Sequence, residues 1–156
     1  MIERGDDTIT VRVDTDASAP ELFAVLADPH RHTEIDGSGM LQGADPTAPA
    51  PITAAGEVFA MRMHYPSLGD YTTDNTVLEF EQDRAITWTT ARSGNPPAGV
   101  RWSWRVEPRT GGGTTITHTY DWSRVTDPAV LARVSFPRVS PADLEQTVRR
   151  LIAAVA

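Results

Sequence analysis

The chain has 156 residues and no Cys, and its 14 Lys plus Arg against 21 Asp plus Glu give a net charge of −7. One domain is expected at this length, able to bury roughly 70% of its unfolded surface without a disulfide or metal staple. The acidic balance, with no basic cluster, argues against nucleic acid and against an anionic membrane surface as partner, and because all 14 cations are Arg, neither a thiolate nor a Schiff-base lysine is available to any chemistry.

Residues 8–14, TITVRVD, alternate with Ile9, Val11 and Val13 on one side, the period-two pattern of a half-buried strand. Ser18-Ala19-Pro20-Glu21 has the spacing of a capping box with Pro at an early helical position, and Leu22, Val25 and Leu26 supply the apolar stripe of a first helix. Pro29 disfavours helical geometry at Asp28, so the helix is expected to stop there and a short helical piece to follow over 29–35. DGSGMLQG (36–43) reads as a turn into a short strand. The next segment carries Pro46, Pro49 and Pro51 and is expected as a surface loop.

Strands are expected over 56–64 and 71–80. In the first, Phe59, Met61 and Met63 share a face; in the second, Tyr71, Thr73, Asn75 and Val77 do. AITWTTA then places Ile86 and Trp88 together. A hairpin follows, turning through PRTGGG: Val100, Trp102, Trp104 and Val106 share one face of its first arm, and Ile116, His118, Tyr120 and Trp122 share one face of its second. Residues 123–139 are irregular, with one helical turn from Asp127-Pro128. Ser140-Pro141-Ala142-Asp143 opens a last helix with an N-cap, a Pro and an acid in place. Leu144, Val148, Leu151, Ile152 and Val155 give that helix one continuous apolar stripe.

Strands gathered before a terminal amphipathic helix imply an α+β domain, about seven antiparallel strands with the helix laid across one face of a twisted sheet. If the sheet curls, its aromatic face is concave and leaves room for a small molecule, because bulky apolar residues with a few polar tips make the usual pocket lining. Phe59, Met61, Met63, Tyr71, Asn75, Trp88, Trp102, Trp104, Trp122, Leu144 and Val148 are the candidate ligand-binding residues. His118 and Tyr120 are the candidate acid/base pair, against the plainer reading of a core His satisfied by one hydrogen bond and a Tyr hydroxyl at the sheet edge. Asn75 needs several partners if buried, supplied by a neighbour, a water or a ligand. His30, His32, Glu34 and Asp36 form a polar group, but two His two residues apart diverge on a helix; a solvated helix end is expected and no metal. Asp36 is expected to brace the Gly37–Gly39 turn and is the candidate acid at a cavity mouth. Arg62, Arg101 and Arg105 alternate outward as a solvated face. Met1-Ile2-Glu3-Arg4-Gly5-Asp6-Asp7 is no signal peptide, no apolar run approaches ~18 residues, and the lack of Cys fits the cytoplasm.

In order and spacing these elements resemble the helix-grip superfamily, which holds START-like domains and the bacterial polyketide cyclase/dehydrase-like group. The similarity is carried by Ala19-Pro20-Glu21-Leu22-Phe23, Ala27-Asp28-Pro29, Asp36-Gly37-Ser38-Gly39, Gly56 with Phe59, Tyr71 with Asn75, Val77 and Phe80, Arg84-Ala85-Ile86-Thr87-Trp88, Gly112-Gly113-Thr114 and the last helix. It covers residues 8–156. The resemblance implies a curved sheet wrapped on the C-terminal helix, with an internal cavity for apolar or aromatic ligands. It implies no cofactor and no shared catalytic set. Two functions follow as expectations: a cyclase/dehydratase-like enzyme acting on a keto substrate, or a non-catalytic carrier or sensor of a lipid or aromatic metabolite.

Overall fold

The computed structural model describes all 156 residues. A single sheet of eight antiparallel strands is built from β1 (Ile2–Arg4), β2 (Thr8–Thr15), β3 (Leu41–Ala44), β4 (Val58–Tyr65), β5 (Gly69–Glu81), β6 (Ala85–Arg92), β7 (Arg101–Pro108) and β8 (Thr114–Asp121). Their spatial order is β1-β2-β8-β7-β6-β5-β4-β3. From β3 to β8 neighbours in sequence are neighbours in space. Then β8 returns to pair with β2, Ile9 opposite Tyr120 and Val11 opposite His118. The helices are α1 (Ala19–Leu26), α2 (His32–Ile35), α3 (Pro128–Arg133) and α4 (Pro141–Ala154), with a 3-10 turn at Pro29–Arg31.

The expected α+β helix-grip architecture is present, with one strand more than expected. β1 is three residues long and exposed throughout, so it carries no alternation that a sequence could display. It covers the edge of β2, pairing Ile2 with Val11.

β2, β4, β5, β7 and β8 bury the face their alternation predicts, whereas β6 also buries Thr87, Thr89 and Ala91 on its other face and leaves Trp88 half-buried. β8 alternates buried and half-buried over its whole length. The buried sides of β2 and β8 (Ile9, Val11, Ile116) meet Leu144, Val148 and Leu151 of α4 and Leu22, Phe23, Val25 and Leu26 of α1 in one core. α1 starts where Ser18 Oγ accepts from Glu21 N at 3.4 Å, and α4 where Ser140 Oγ accepts from Asp143 N at 3.1 Å. Asp28 ends the first helical segment and caps the 3-10 turn through His30 N.

α4 is clamped to the Asp36–Gly37 segment. Gly37 N donates to Thr147 Oγ1 at 2.9 Å, and Arg150 Nη1 donates to the Asp36 carbonyl at 2.6 Å. A Cβ on Gly37 would lie 2.5 Å from the Asp143 carbonyl oxygen, so only glycine permits this approach. The clamp fixes how far the amino-terminal end of α4 stands from the sheet, and that gap is the site.

Candidate functional site

Between the concave sheet face, the start of α4 and the chain from Arg124 to Val139 lies a cavity of about 1030 Å³. That is at the upper end of the range of small-molecule sites. Its walls include Phe59, Met61, Met63, Trp88, Trp102 and Trp104. Tyr71, Asn75, His118, Tyr120, Leu144 and Asp36 complete the expected residues found there. The indoles therefore line the space without closing it.

Two expected lining residues lie elsewhere. Trp122 follows the last residue of β8 and keeps its place in the alternation, buried beside Tyr120, but it lies beyond the end of the cavity lining. Its backbone N–H donates to Asp7 O at 3.0 Å, and its ring packs between Tyr120 and Phe136 outside the cavity. Val148 is fully buried in the core. Only the first turns of α4 border the void, through Leu144 and Thr147, while Val148 and Leu151 sit where helix and sheet have closed together.

The hairpin sets its polar groups by cross-strand stacking. Trp104 pairs with His118 and Trp102 with Tyr120, the closest side-chain neighbours a sheet offers. The Trp104 and His118 rings stack at 3.7 Å between centroids, and those of Trp102 and Tyr120 at 4.2 Å, within 3° of parallel. His118 Nδ1 lies 3.0 Å from Ser103 O. A carbonyl can only accept, so Nδ1 carries the proton. Burial lowers the pKa of His118 to about 4, with the Ser103 contact opposing it. The ring is thus neutral near pH 7, and Nε2 is a bare acceptor. Nε2 has no protein partner, and no fully enclosed side-chain nitrogen or oxygen lacks one, so Nε2 opens onto the cavity. Burial raises Tyr120 to about 12. Its hydroxyl accepts from Arg138 N at 3.3 Å and keeps its own proton to give. An acceptor and a donor thus stand two residues apart on one strand face.

Asn75 needs no ligand. Its Nδ2 donates to Phe59 O and Thr73 Oγ1, and its Oδ1 accepts from Thr90 Oγ1 at 2.7 Å. Asp36 braces the turn as expected, accepting from Ser38 N, Ser38 Oγ and Leu41 N. That occupies both oxygens, although the residue borders the cavity.

The family model that matches residues 6–156 describes polyketide cyclase / dehydrase and lipid transport proteins. The chain belongs to this family. Polyketide cyclase/dehydrase and lipid transport proteins bind small hydrophobic ligands. Rv0088, an uncharacterized protein of Mycobacterium tuberculosis, is 31% identical over 122 residues, covering 78% of this chain and 50% of its own length. The chain thus spans about half the length of the curated relatives it matches. Among solved structures, Ms6760 from Mycobacterium smegmatis superposes with a TM-score of 0.64 at 13% identity, covering 100% of this chain and 96% of the other. Norcoclaurine synthase from Thalictrum flavum superposes with a TM-score of 0.62 at 12% identity, covering 95% and 92%. At such identities the likeness is one of fold.

Within the polyketide cyclase/dehydrase fold, two cavity residues differ from their expected places. His32 belongs to no solvated helix end: it is 4% exposed, stacked on Trp88 at 5.3 Å and edge-on to Phe59. Its Nε2 donates to Leu26 O at 2.8 Å, and burial lowers its pKa. His30 is exposed and its Nε2 meets Ala48 O instead, so the two imidazoles diverge. Arg101, expected in a solvated face, is half-buried at the cavity mouth. Neither placement is visible in local spacing, because each depends on what the sheet brings up from far along the chain. No helix is long and apolar enough to cross a membrane.

Proposed function

We propose that this chain encloses a small apolar or aromatic molecule between its indole-lined sheet and α4, and that His118 and Tyr120 move a proton at carbon next to the ligand's carbonyl. The observation that carries the reading is the pairing of a bare imidazole nitrogen with a protonated phenol, both bordering an unfilled cavity. Tyr120 would donate to the carbonyl oxygen as charge develops there, and His118 Nε2 would accept the proton from the neighbouring carbon. A base and an acid held in this way are worth about 10²–10⁴-fold. Holding a flexible keto chain folded lowers a ring-closure barrier further by removing the entropy of alignment.

A second reading, a carrier or sensor without chemistry, is favoured by one specific feature. A histidine that titrates at about 4 is in the right form near pH 7 but is a weak base, so proton abstraction has little driving force. The two readings separate on an aromatic ketone. With 1-tetralone in D₂O, an acid/base site speeds hydrogen–deuterium exchange beside the carbonyl, and His118→Gln and Tyr120→Phe each slow it roughly 10²-fold or more. A carrier binds the ketone and leaves the exchange rate at its background value. Native mass spectrometry of freshly purified protein gives the complementary result: a co-purified molecule recovered unchanged after incubation supports the carrier, and one converted supports the enzyme.

A further inference from the structure

The mouth of the cavity carries the opposite charge to the chain. Overall the protein is at −7, yet Arg92, Arg101, Arg124, Arg133 and Arg138 all border this opening. The only carboxylates with them are Asp36 and Asp127. Asp36 is held by its turn, and Asp127 accepts from Ala129 N as the cap of α3. Of the five arginines only Arg124 has an ion-pair partner, Asp121 at 3.2 Å. The chain has 21 acids, yet none forms an ion pair with Arg92, Arg101, Arg133 or Arg138.

Arg138 is the centre of the group. It is half-buried, its guanidinium lies 5.2 Å from the centre of the Tyr65 ring, and its backbone N–H holds the Tyr120 hydroxyl. Arg92 lies over the Tyr71 ring at 5.8 Å. Burial raises the pKa of Tyr71 while the charges of Arg138 and Arg92 oppose it, which puts both guanidinium groups near one phenol at the cavity rim. Stacking on aromatic faces holds a guanidinium in place and leaves its fork of N–H donors to be used.

We infer that the ligand is an amphiphilic anion, whose apolar or aromatic body lies against Trp102 and Trp104 and whose univalent oxyanion head, a carboxylate or sulfonate, is received at the mouth by Arg138 and Arg92. This rests on the cavity reading proposed above and adds the class of its occupant. A planar guanidinium fork matches such a head with two parallel hydrogen bonds, stronger than those between neutral groups. A neutral hydrocarbon would leave Arg138 and Arg92 with no anion to pair with. Because the head stays at the mouth, its charge is never carried into the apolar interior.

Two fluorescent probes that differ only in the head test this. 1-Anilinonaphthalene-8-sulfonate carries the anion; N-phenyl-1-naphthylamine is the same ring system without it. Both are titrated into wild type, Arg138→Gln, Arg138→Lys and Arg92→Gln, each checked by circular dichroism. The expected result is that Arg138→Gln weakens the sulfonate roughly tenfold or more while leaving the naphthylamine within about twofold. Arg92→Gln acts in the same direction, Arg138→Lys falls between, and added salt weakens only the sulfonate. Saturable binding of both probes with no selective loss of the sulfonate in either glutamine variant overturns the anionic head and leaves the cavity reading intact. Saturable binding of neither probe overturns both.

Discussion

A histidine buried without an acidic partner has only one comfortable protonation state, and His118 shows the consequence for stability. Its folded pKa of about 4 lies below the ordinary histidine value of 6.5. Between those values the unfolded chain binds the proton and the folded one does not, so stability falls as pH drops from 6.5 towards 4. The loss from this group is about 3 kcal/mol once both limits are crossed. His32, lowered in the same direction by burial, adds to it. Thermal melts of wild type and His118→Gln at pH 7 and pH 4.5 should show a smaller acid loss in the variant; equal losses would mean that His118 is not buried neutral. Tyr120→Phe removes the acceptor of Arg138 N–H and should cost about 1 kcal/mol in urea unfolding. The alternation of the hairpin named His118 and Tyr120 from sequence, because both lie well inside a regular strand. It put Trp122 on the buried side correctly but could not show that Phe136, from the chain beyond the hairpin, packs against that indole and leaves it out of the cavity lining.

At the scale of elements, α4 depends on two small groups. Ser140→Ala deletes the side-chain acceptor for Asp143 N and should lower stability by about 1 kcal/mol. Gly37→Ala drives a methyl group into the Asp143 carbonyl at 2.5 Å, so the helix must move or the turn must open. We expect a loss of about 1–3 kcal/mol, with a change in probe affinity because the gap above the sheet changes. If Gly37→Ala unfolds at the wild-type urea midpoint and binds as wild type, the clamp does not set that gap. Element boundaries were mostly legible: the Ser caps, the early prolines and the Gly-rich turn each act through local backbone chemistry. β1 was not, since three exposed residues at an edge carry no period. The short α2 was legible as a helix and illegible as a wall, because the burial of His32 comes from Phe59 and Trp88, more than twenty residues away in each case.

Across the whole molecule, the curled sheet and the terminal helix were legible because their periodicities are long and consistent. The cavity between them was legible only as a prospect. Whether aromatic rings fill a concave face depends on how far the helix stands off, which no local pattern encodes. The charge of the mouth was likewise hidden: its arginines come from β6, β7 and the chain between β8 and α4, and they meet only in three dimensions. Ligand binding at this site requires that interior to be open. NMR of the four indole N–H signals during titration with N-phenyl-1-naphthylamine tests it most directly. The structure predicts saturable one-to-one shifts at Trp88, Trp102 and Trp104, which line the cavity, and the smallest shift at Trp122, which lies outside it. An absence of saturable shifts, or a largest response at Trp122, would contradict it.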